Sequence, residues 1–139
     1  MIEVSYKYRI YPNNIQKQYF AKCFGCVRFF YNLSLSDMND IYKKDKTFEN
    51  ITPASYKERY PFLKEVDSLC LSNAQLNRNK AFKAFFRKQN NFPRYKSKRN
   101  EQSFSTNNQK GTVSISNNKY LNIPKCKNIK IRMHRNFKG

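Results

Sequence analysis

A chain of 139 residues with 28 Lys/Arg against 9 Asp/Glu carries a net charge of +19, and its 12 Phe and 10 Tyr supply apolar material for one ordinary core. Three glycines and five prolines are too few for a disordered basic tail, and no apolar run reaches membrane-spanning length. Met1-Ile2-Glu3-Val4 does not open a signal peptide, and no amphipathic Lys/Trp/Leu helix of the membrane-surface type is present. A cytoplasmic, nucleoid-associated protein is expected, with no membrane partner and with free thiols at Cys23, Cys26, Cys70 and Cys126.

The charge is unevenly spread. Residues 1–67 hold 11 Lys/Arg and 8 Asp/Glu, whereas residues 68–139 hold 17 and 1, the single acid being Glu101. A half-chain of net +16 attracts polyanions over roughly a Debye length and binds nucleic acid at low salt.

In chain order, residues 2–11 alternate, with Ile2, Val4, Tyr6, Tyr8 and Ile10 against Glu3, Ser5, Lys7 and Arg9, which predicts a half-buried strand ended by Pro12. Asn13 and Gln16 have capping-box spacing. Ile15, Tyr19, Cys23, Val27, Phe30, Met38 and Ile41 then recur at helical spacing, and Gly25 is expected to bend or break that helix. Residues 43–51 read as a loop. Thr52-Pro53 suits a helix start with Thr as cap, and Pro61 stops that helix by Tyr60. A longer helix is predicted from Ser68 to about Gln89, with Leu69, Ala74, Leu76, Ala81, Phe82, Phe85 and Phe86 on its apolar side.

Beyond Phe92-Pro93 the pattern turns to short runs at 103–107, 112–116, 119–123 and 127–133, the last placing Ile129, Ile131 and Met133 against Lys130 and Arg132. Asn117-Asn118 and Pro124 mark turns between them. The expected fold class is α+β. A small β-barrel or sheet forms from the N-terminal strand and the C-terminal strands, because a lone first strand would leave an unpaired edge. A helical insertion interrupts it. The expected boundaries are 1–11 with 103–139 for the discontinuous β part, and 12–102 for the helical part.

Candidate binding residues follow from charge and spacing. The stretch Asn91-Phe92-Pro93-Arg94-Tyr95-Lys96-Ser97-Lys98-Arg99 packs four cations, two aromatics and a rigid proline into nine residues with no acid. Arg94, Lys96, Lys98 and Arg99 suit phosphate contact, and Tyr95 suits stacking on an unpaired base. Phe92 either stacks likewise or pins the loop to the core. Arg28 and Asn32 share a helical face, either gripping phosphate and base edge or meeting each other locally. On the Ser68 helix, Asn73, Asn77 and Lys80 fall on one side and suit base edges in a groove or an ordinary polar face. Lys83, Arg87 and Lys88 suit phosphate, as do Lys130 and Arg132.

Cys23-Phe24-Gly25-Cys26 has C-x-x-C spacing, but a structural zinc site takes four ligands and no second pair exists. Packing is the better reading of these thiols, and no metal or other cofactor is expected. Hydrolytic chemistry is not expected either. There is no Gly-rich phosphate loop, His134 has no nucleophile beside it, and eight of nine acids are scattered over residues 3–67.

Several segments together resemble the front part of the TnpB (OrfB) proteins of bacterial insertion sequences. They are Tyr6-Lys7-Tyr8-Arg9-Ile10-Tyr11-Pro12 with Gln16; Phe24-Gly25-Cys26-Val27-Arg28-Phe29-Phe30-Tyr31-Asn32; Tyr60-Pro61-Phe62-Leu63-Lys64-Glu65-Val66; Ala81-Phe82-Lys83-Ala84-Phe85-Phe86; Phe92-Pro93-Arg94-Tyr95-Lys96-Ser97-Lys98; and Ile129–Arg135. The resemblance implies an RNA-guided DNA nuclease family whose front part is a β-barrel wedge domain interrupted by a helical recognition domain, also described as a transposase helix-turn-helix. It implies DNA and guide RNA as partners, with protein reading a short motif and base pairing reading the rest. The family's RuvC-like nuclease domain and four-cysteine zinc element lie beyond Gly139. The chain is therefore expected to bind without cutting, in concert with the nuclease domain or a full-length protein. The alternatives are a stand-alone DNA-binding regulator of transposon ends and a non-functional truncated remnant.

Overall fold

The computed structural model describes residues 7–47, 49–88, 91–99, 101–109 and 111–132. They divide into two compact units, one holding the described residues up to Phe20 and from Asn107 onward, the other Ala21–Thr106. Among the described residues no helix is long and apolar enough to cross a membrane.

The first unit is built on a four-stranded antiparallel sheet of order β1-β4-β3-β2, with β1 at Arg9–Tyr11, β2 at Ser114–Ser116, β3 at Tyr120–Ile123 and β4 at Cys126–Arg132. The first strand thus finds its partner in the last, and the fold is α+β. The sheet is open and not closed into a barrel. Four short strands cannot complete the circumference, so β1 and β2 remain edges. Ile2, Val4, Tyr6 and Met133 of the expected alternation lie outside the described residues. Within β4, Ile129 and Ile131 are buried, while Lys130 and Arg132 are exposed.

Local turn chemistry sets the register. Asn117 and Asn118 both have positive φ (53° and 54°) and close a primed turn in which the Lys119 N–H donates to the Ser116 carbonyl at 3.1 Å. At the next corner Pro124 precedes Lys125, whose φ is 64°, as a type II turn requires. The Tyr19 hydroxyl donates to the Pro124 carbonyl. Asn128, at φ 59°, makes a bulge in β4 where the pairing with β3 shifts between Leu121 and Ile123.

That bulge is tied to the start of α1 (Asn14–Asp45). Asn13 and Gln16 form the capping box reciprocally: each side-chain oxygen accepts the other's backbone N–H at 2.9 Å. The Gln16 amide nitrogen then donates to the carbonyls of Lys127 and Asn128 at 2.9 and 3.1 Å. Gln16 is therefore buried, and Ile15, expected in the core, is 78% exposed. The carbonyls of the bulge draw Gln16 inward and leave Ile15 outside.

The second unit departs from expectation at several points. Gly25 neither breaks nor ends α1, which runs as one helix of 32 residues and takes in residues 43–45 of the expected loop. A glycine inside a helix costs only about 1 kcal/mol relative to alanine, and buried Cys23, Cys26, Val27 and Phe30 surround it on the inward face. Tyr31, Leu35 and Met38 continue that stripe and pack with Phe82. The Thr52-Pro53 helix shrinks to α2 (Ala54–Lys57), with Pro53 as its cap residue and Thr52 contributing its carbonyl to Ser55. A 3₁₀ turn follows at Pro61–Glu65.

α3 spans Ser68–Phe86 and is capped by Asp67, whose carboxylate accepts from the Leu69 N–H and from the Thr106 hydroxyl. It ends before Gln89 because Lys88 takes a left-handed φ of 60°. Leu76, expected on the apolar side, is 54% exposed, and Arg78 is fully buried. Residues 103–107 form no strand; Phe104 packs its ring on Phe24, and the Ser105 carbonyl accepts from the Asn73 amide.

Gln16→Ala removes one half of the capping box and both bonds to the bulge. It is expected to lower the unfolding free energy by about 2 kcal/mol, whereas Ile15→Ala should stay within roughly 0.5 kcal/mol of the parent. Urea unfolding of both variants decides between this inward Gln16 and an inward Ile15.

Candidate nucleic-acid interface

The basic loop 91–99 is held from both ends of its aromatic–proline–cation sequence. Phe92 meets Phe82 and Phe85 edge-on at centroid distances of 5.4 and 5.2 Å, and Pro93 is buried beside it. Three residues on, Asn32 of α1 clasps the backbone of Lys96. Its amide nitrogen donates to the Lys96 carbonyl at 2.9 Å, and its oxygen accepts the Lys96 N–H at 2.7 Å. The Lys96 ammonium lies 4.7 Å from the centre of the Tyr31 ring. The Ser97 hydroxyl oxygen accepts the Arg99 N–H. Arg94, Tyr95, Lys98 and Arg99 are exposed on this fixed backbone, Tyr95 to 51%.

Two proposed ligand-gripping residues thus spend polar atoms inside the protein. Asn32 holds the loop, and Arg28 donates to the Gln102 amide oxygen at 2.8 Å instead of meeting Asn32. On α3, the Asn73 amide nitrogen donates to the Leu69 and Ser105 carbonyls. Asn77, Lys80, Lys83, Arg87 and Lys88 are exposed. The loop and α3 cations all belong to the Ala21–Thr106 unit.

Lys130 and Arg132 belong to the sheet unit, where strand pairing adds residues that the sequence reading did not nominate. Arg132 stands opposite Arg9, and Lys130 stands opposite both Tyr11 and Tyr120. Directly paired residues share a sheet face, so Arg9, Tyr11, Tyr120, Lys130 and Arg132 form one cationic, aromatic surface. Tyr11 is 44% and Tyr120 36% exposed. Like charges set opposite each other are unfavourable unless an anion lies between them. The sequence signal was present in Tyr8-Arg9-Ile10-Tyr11, but only register reveals the shared face.

The thiols are buried. Burial, then the neighbouring Cys23 and Glu65, pushes the Cys26 thiol up to about 11. Cys70 is far from Cys23 in sequence but not in space. It lies beside Cys23, which with burial raises its pKa strongly, and its thiol donates to the Asp67 carbonyl at 2.8 Å. Both are protonated near neutral pH and behave as packing groups.

Residues 1–47 match the helix-turn-helix domain model of the OrfB proteins of IS605. In that span the structure holds β1 and the whole of α1, which is unbroken. A curated protein of Streptomyces pristinaespiralis, named as an RNA-guided DNA endonuclease, is 31% identical over 105 residues that cover 70% of this chain. The match covers 26% of that relative, so the chain spans about a quarter of its length. The chain carries a TnpB/OrfB N-terminal region.

Asn32→Ala is expected to speed hydrogen exchange at the Lys96 amide at least tenfold, the loss of one exposed bond of about 1.4 kcal/mol, while global stability changes little. Unchanged exchange by NMR would show that Asn32 does not hold the loop. A second expectation concerns alkaline pH. Because the native Cys26 pKa of about 11 exceeds the ordinary 9.0, the native state binds more protons than the unfolded state between those values. Stability is intact below pH 9 and falls as pH rises toward 11. Cys26→Ala should flatten that limb in pH-dependent urea unfolding.

Proposed function

We propose that this chain is the nucleic-acid-binding front part of a TnpB-type protein, engaging guide RNA and target-adjacent DNA and making no cut by itself. The observation that carries this reading is the acid-free loop 91–99, in which exposed cations stand on a backbone clasped by Asn32 and anchored by Phe92. Fixing the backbone beforehand lowers the ordering cost of binding. The relative named as an RNA-guided DNA endonuclease supports the choice of DNA and RNA as ligands.

In this reading Arg94, Lys98 and Arg99 neutralise backbone phosphates, with Lys80 and Lys83 of α3 and Arg87 and Lys88 just beyond its end adding to the same electrostatic footprint. Tyr95 stacks on an unpaired base. Lys96 plays a lesser part in phosphate contact, since its ammonium is already over Tyr31. Asn77 is the α3 amide left to read a base edge, because Asn73 is bonded to carbonyls. The sheet face of Arg9, Tyr11, Tyr120, Lys130 and Arg132 suits single-stranded RNA, combining stacking rings with cations. No cofactor is needed for any of these contacts. The absence of cutting rests on the carboxylates: a two-metal nuclease centre needs several converging on its ions, and beyond residue 67 this chain has one, Glu101.

Binding should be measured across salt with guide-type RNA, duplex DNA and both together. Arg94→Ala with Lys98→Ala is expected to weaken binding to all sequences and to reduce the log K against log salt slope by about 1.5, at roughly 0.7–0.9 per phosphate contact. Lys96→Ala alone should change the slope by less than half of that. An unchanged slope in the double variant sinks the loop assignment. Tight, sequence-specific duplex binding without RNA would point to a guide-free regulator of transposon ends instead.

A further inference from the structure

Arg78 is a charge in the wrong place for an ordinary helix. It is fully buried on the inner side of α3, and its Nε and Nη1 atoms have no hydrogen-bond partner. Its guanidinium carbon lies 5.6 Å from the centre of the Phe30 ring, and among the described residues no carboxylate forms an ion pair with it. Only Nη2 is bonded, to the side-chain oxygens of Asn50 at 3.1 Å and Asn79 at 2.9 Å. Burying a guanidinium without an anion costs several kcal/mol, so a neutral partner leaves this group far from compensated.

The Asn50 oxygen is the second oddity. It accepts from Gln75 Nε2 at 2.9 Å, Arg78 Nη2 at 3.1 Å and Asn79 Nδ2 at 3.0 Å. An amide oxygen has two lone pairs, yet three N–H donors from one helix converge on it, spaced i, i+3 and i+4 along α3. Three donors, one of them cationic, aimed at a single point are the coordination an anionic oxygen takes. Asn50 is itself exposed, so that point lies at the surface even though Arg78 does not.

We propose that Gln75, Arg78 and Asn79 form a binding site for one phosphate group, and that the Asn50 amide oxygen holds the place of its oxygen in the free protein. Rotation of one side chain vacates the position. A phosphate oxygen there receives three donors, gives Arg78 the counter-charge it lacks, and leaves further oxygens for Nε or Nη1. The phosphate comes either from a nucleic-acid backbone or from free phosphate. The site uses none of the residues named under the proposed function and stands apart from it.

The test compares the parent chain with Asn50→Ala, Arg78→Met and Gln75→Leu, titrating inorganic phosphate against sodium chloride at constant ionic strength and following thermal stability and the 31P signal. Asn50→Ala should bind phosphate several-fold more tightly than the parent, because its competitor oxygen is gone. Arg78→Met and Gln75→Leu should each lose tenfold or more; Gln75→Leu keeps the test decisive if Arg78→Met does not fold. An equal phosphate response in all four proteins would assign the effect to the general +19 charge and overturn the site. The source is read from RNA and DNA binding across salt. A slope lowered by about one in Gln75→Leu or Arg78→Met identifies a backbone phosphate; an unchanged slope with lost phosphate binding identifies the free ion. Loss of the Arg94/Lys98 effect alone would leave this site standing, and the reverse holds equally.

Discussion

The apolar stripe of α1 is what the Ala21–Thr106 unit is assembled on. Cys23, Cys26, Val27, Phe30, Tyr31, Leu35 and Met38 are all at most 7% exposed, and later segments pack aromatic side chains on this helix, on the stripe or beside it. Tyr56 of α2 meets Phe30 edge-on at 5.9 Å, and its hydroxyl donates to the Asp37 carboxylate. Tyr60 and Phe62 frame Phe29 at 4.9 and 5.0 Å, and Phe104 meets Phe24 at 5.5 Å. Such aromatic pairs add roughly 0.5–1.5 kcal/mol each beyond their burial. These ring contacts work alongside the buried aliphatic side chains Leu35, Leu63, Val66 and Leu71. Were the stripe interrupted at Gly25, these rings would lose a common register.

That cohesion has to outweigh self-repulsion, because the charges do little to cancel one another. One ion pair, Lys22 with Glu65 at 3.8 Å, has both side chains more than half exposed, and a surface pair of this kind contributes at most about 1 kcal/mol. Several cations instead lean on rings: Lys96 on Tyr31, Arg59 on Tyr60, Lys46 on Tyr42 and Arg9 on Tyr11. Ring contacts position a cation without neutralising it. The surface therefore keeps its positive field for an external polyanion, and a ligand that supplies the missing charge also stabilises the fold by linkage.

What could be read from the sequence was what neighbouring residues decide. The Asn13/Gln16 capping box, the Asn117-Asn118 turn, the Pro124 corner and the Ile129/Ile131 alternation all depend on residues three or fewer apart, and all stand in the structure. The return of the last strand to the first was legible too, from the need to cover an edge. Illegible were the features decided across the chain. Gln16 turns inward because a bulge 111 residues later offers carbonyls. Asn32 serves the loop because Lys96 arrives 64 residues on. Arg9, Tyr11 and Tyr120 join Lys130 and Arg132 only through register. In the segment 103–107, Ser and Thr suggested a strand, yet the chain there gives its carbonyl and hydroxyl to α3 and its cap.

Arg78 marks the limit of reading by periodicity. Its position on α3 lies on the same inner side as Cys70, Leu71, Ala74 and Phe82, so a hydrophobic pattern would place an apolar residue there, and an arginine looks like a polar interruption. Packing alone would favour Leu or Met, which fill similar volume without an uncompensated charge. The neighbours of the guanidinium nevertheless are not those of an accidental charge: Gln75, Asn79 and Asn50 are gathered around its open end, and Phe30 presents its ring to the other side. The loop cations and Arg78 thus represent opposite solutions. The loop fixes its backbone and leaves its charges in water, where the phosphate contacts proposed for them would be weakly selective. Arg78 fixes its charge in the interior, where only an anion arriving at one geometrically defined point can relieve it, and that demand for position is what gives a phosphate contact a register.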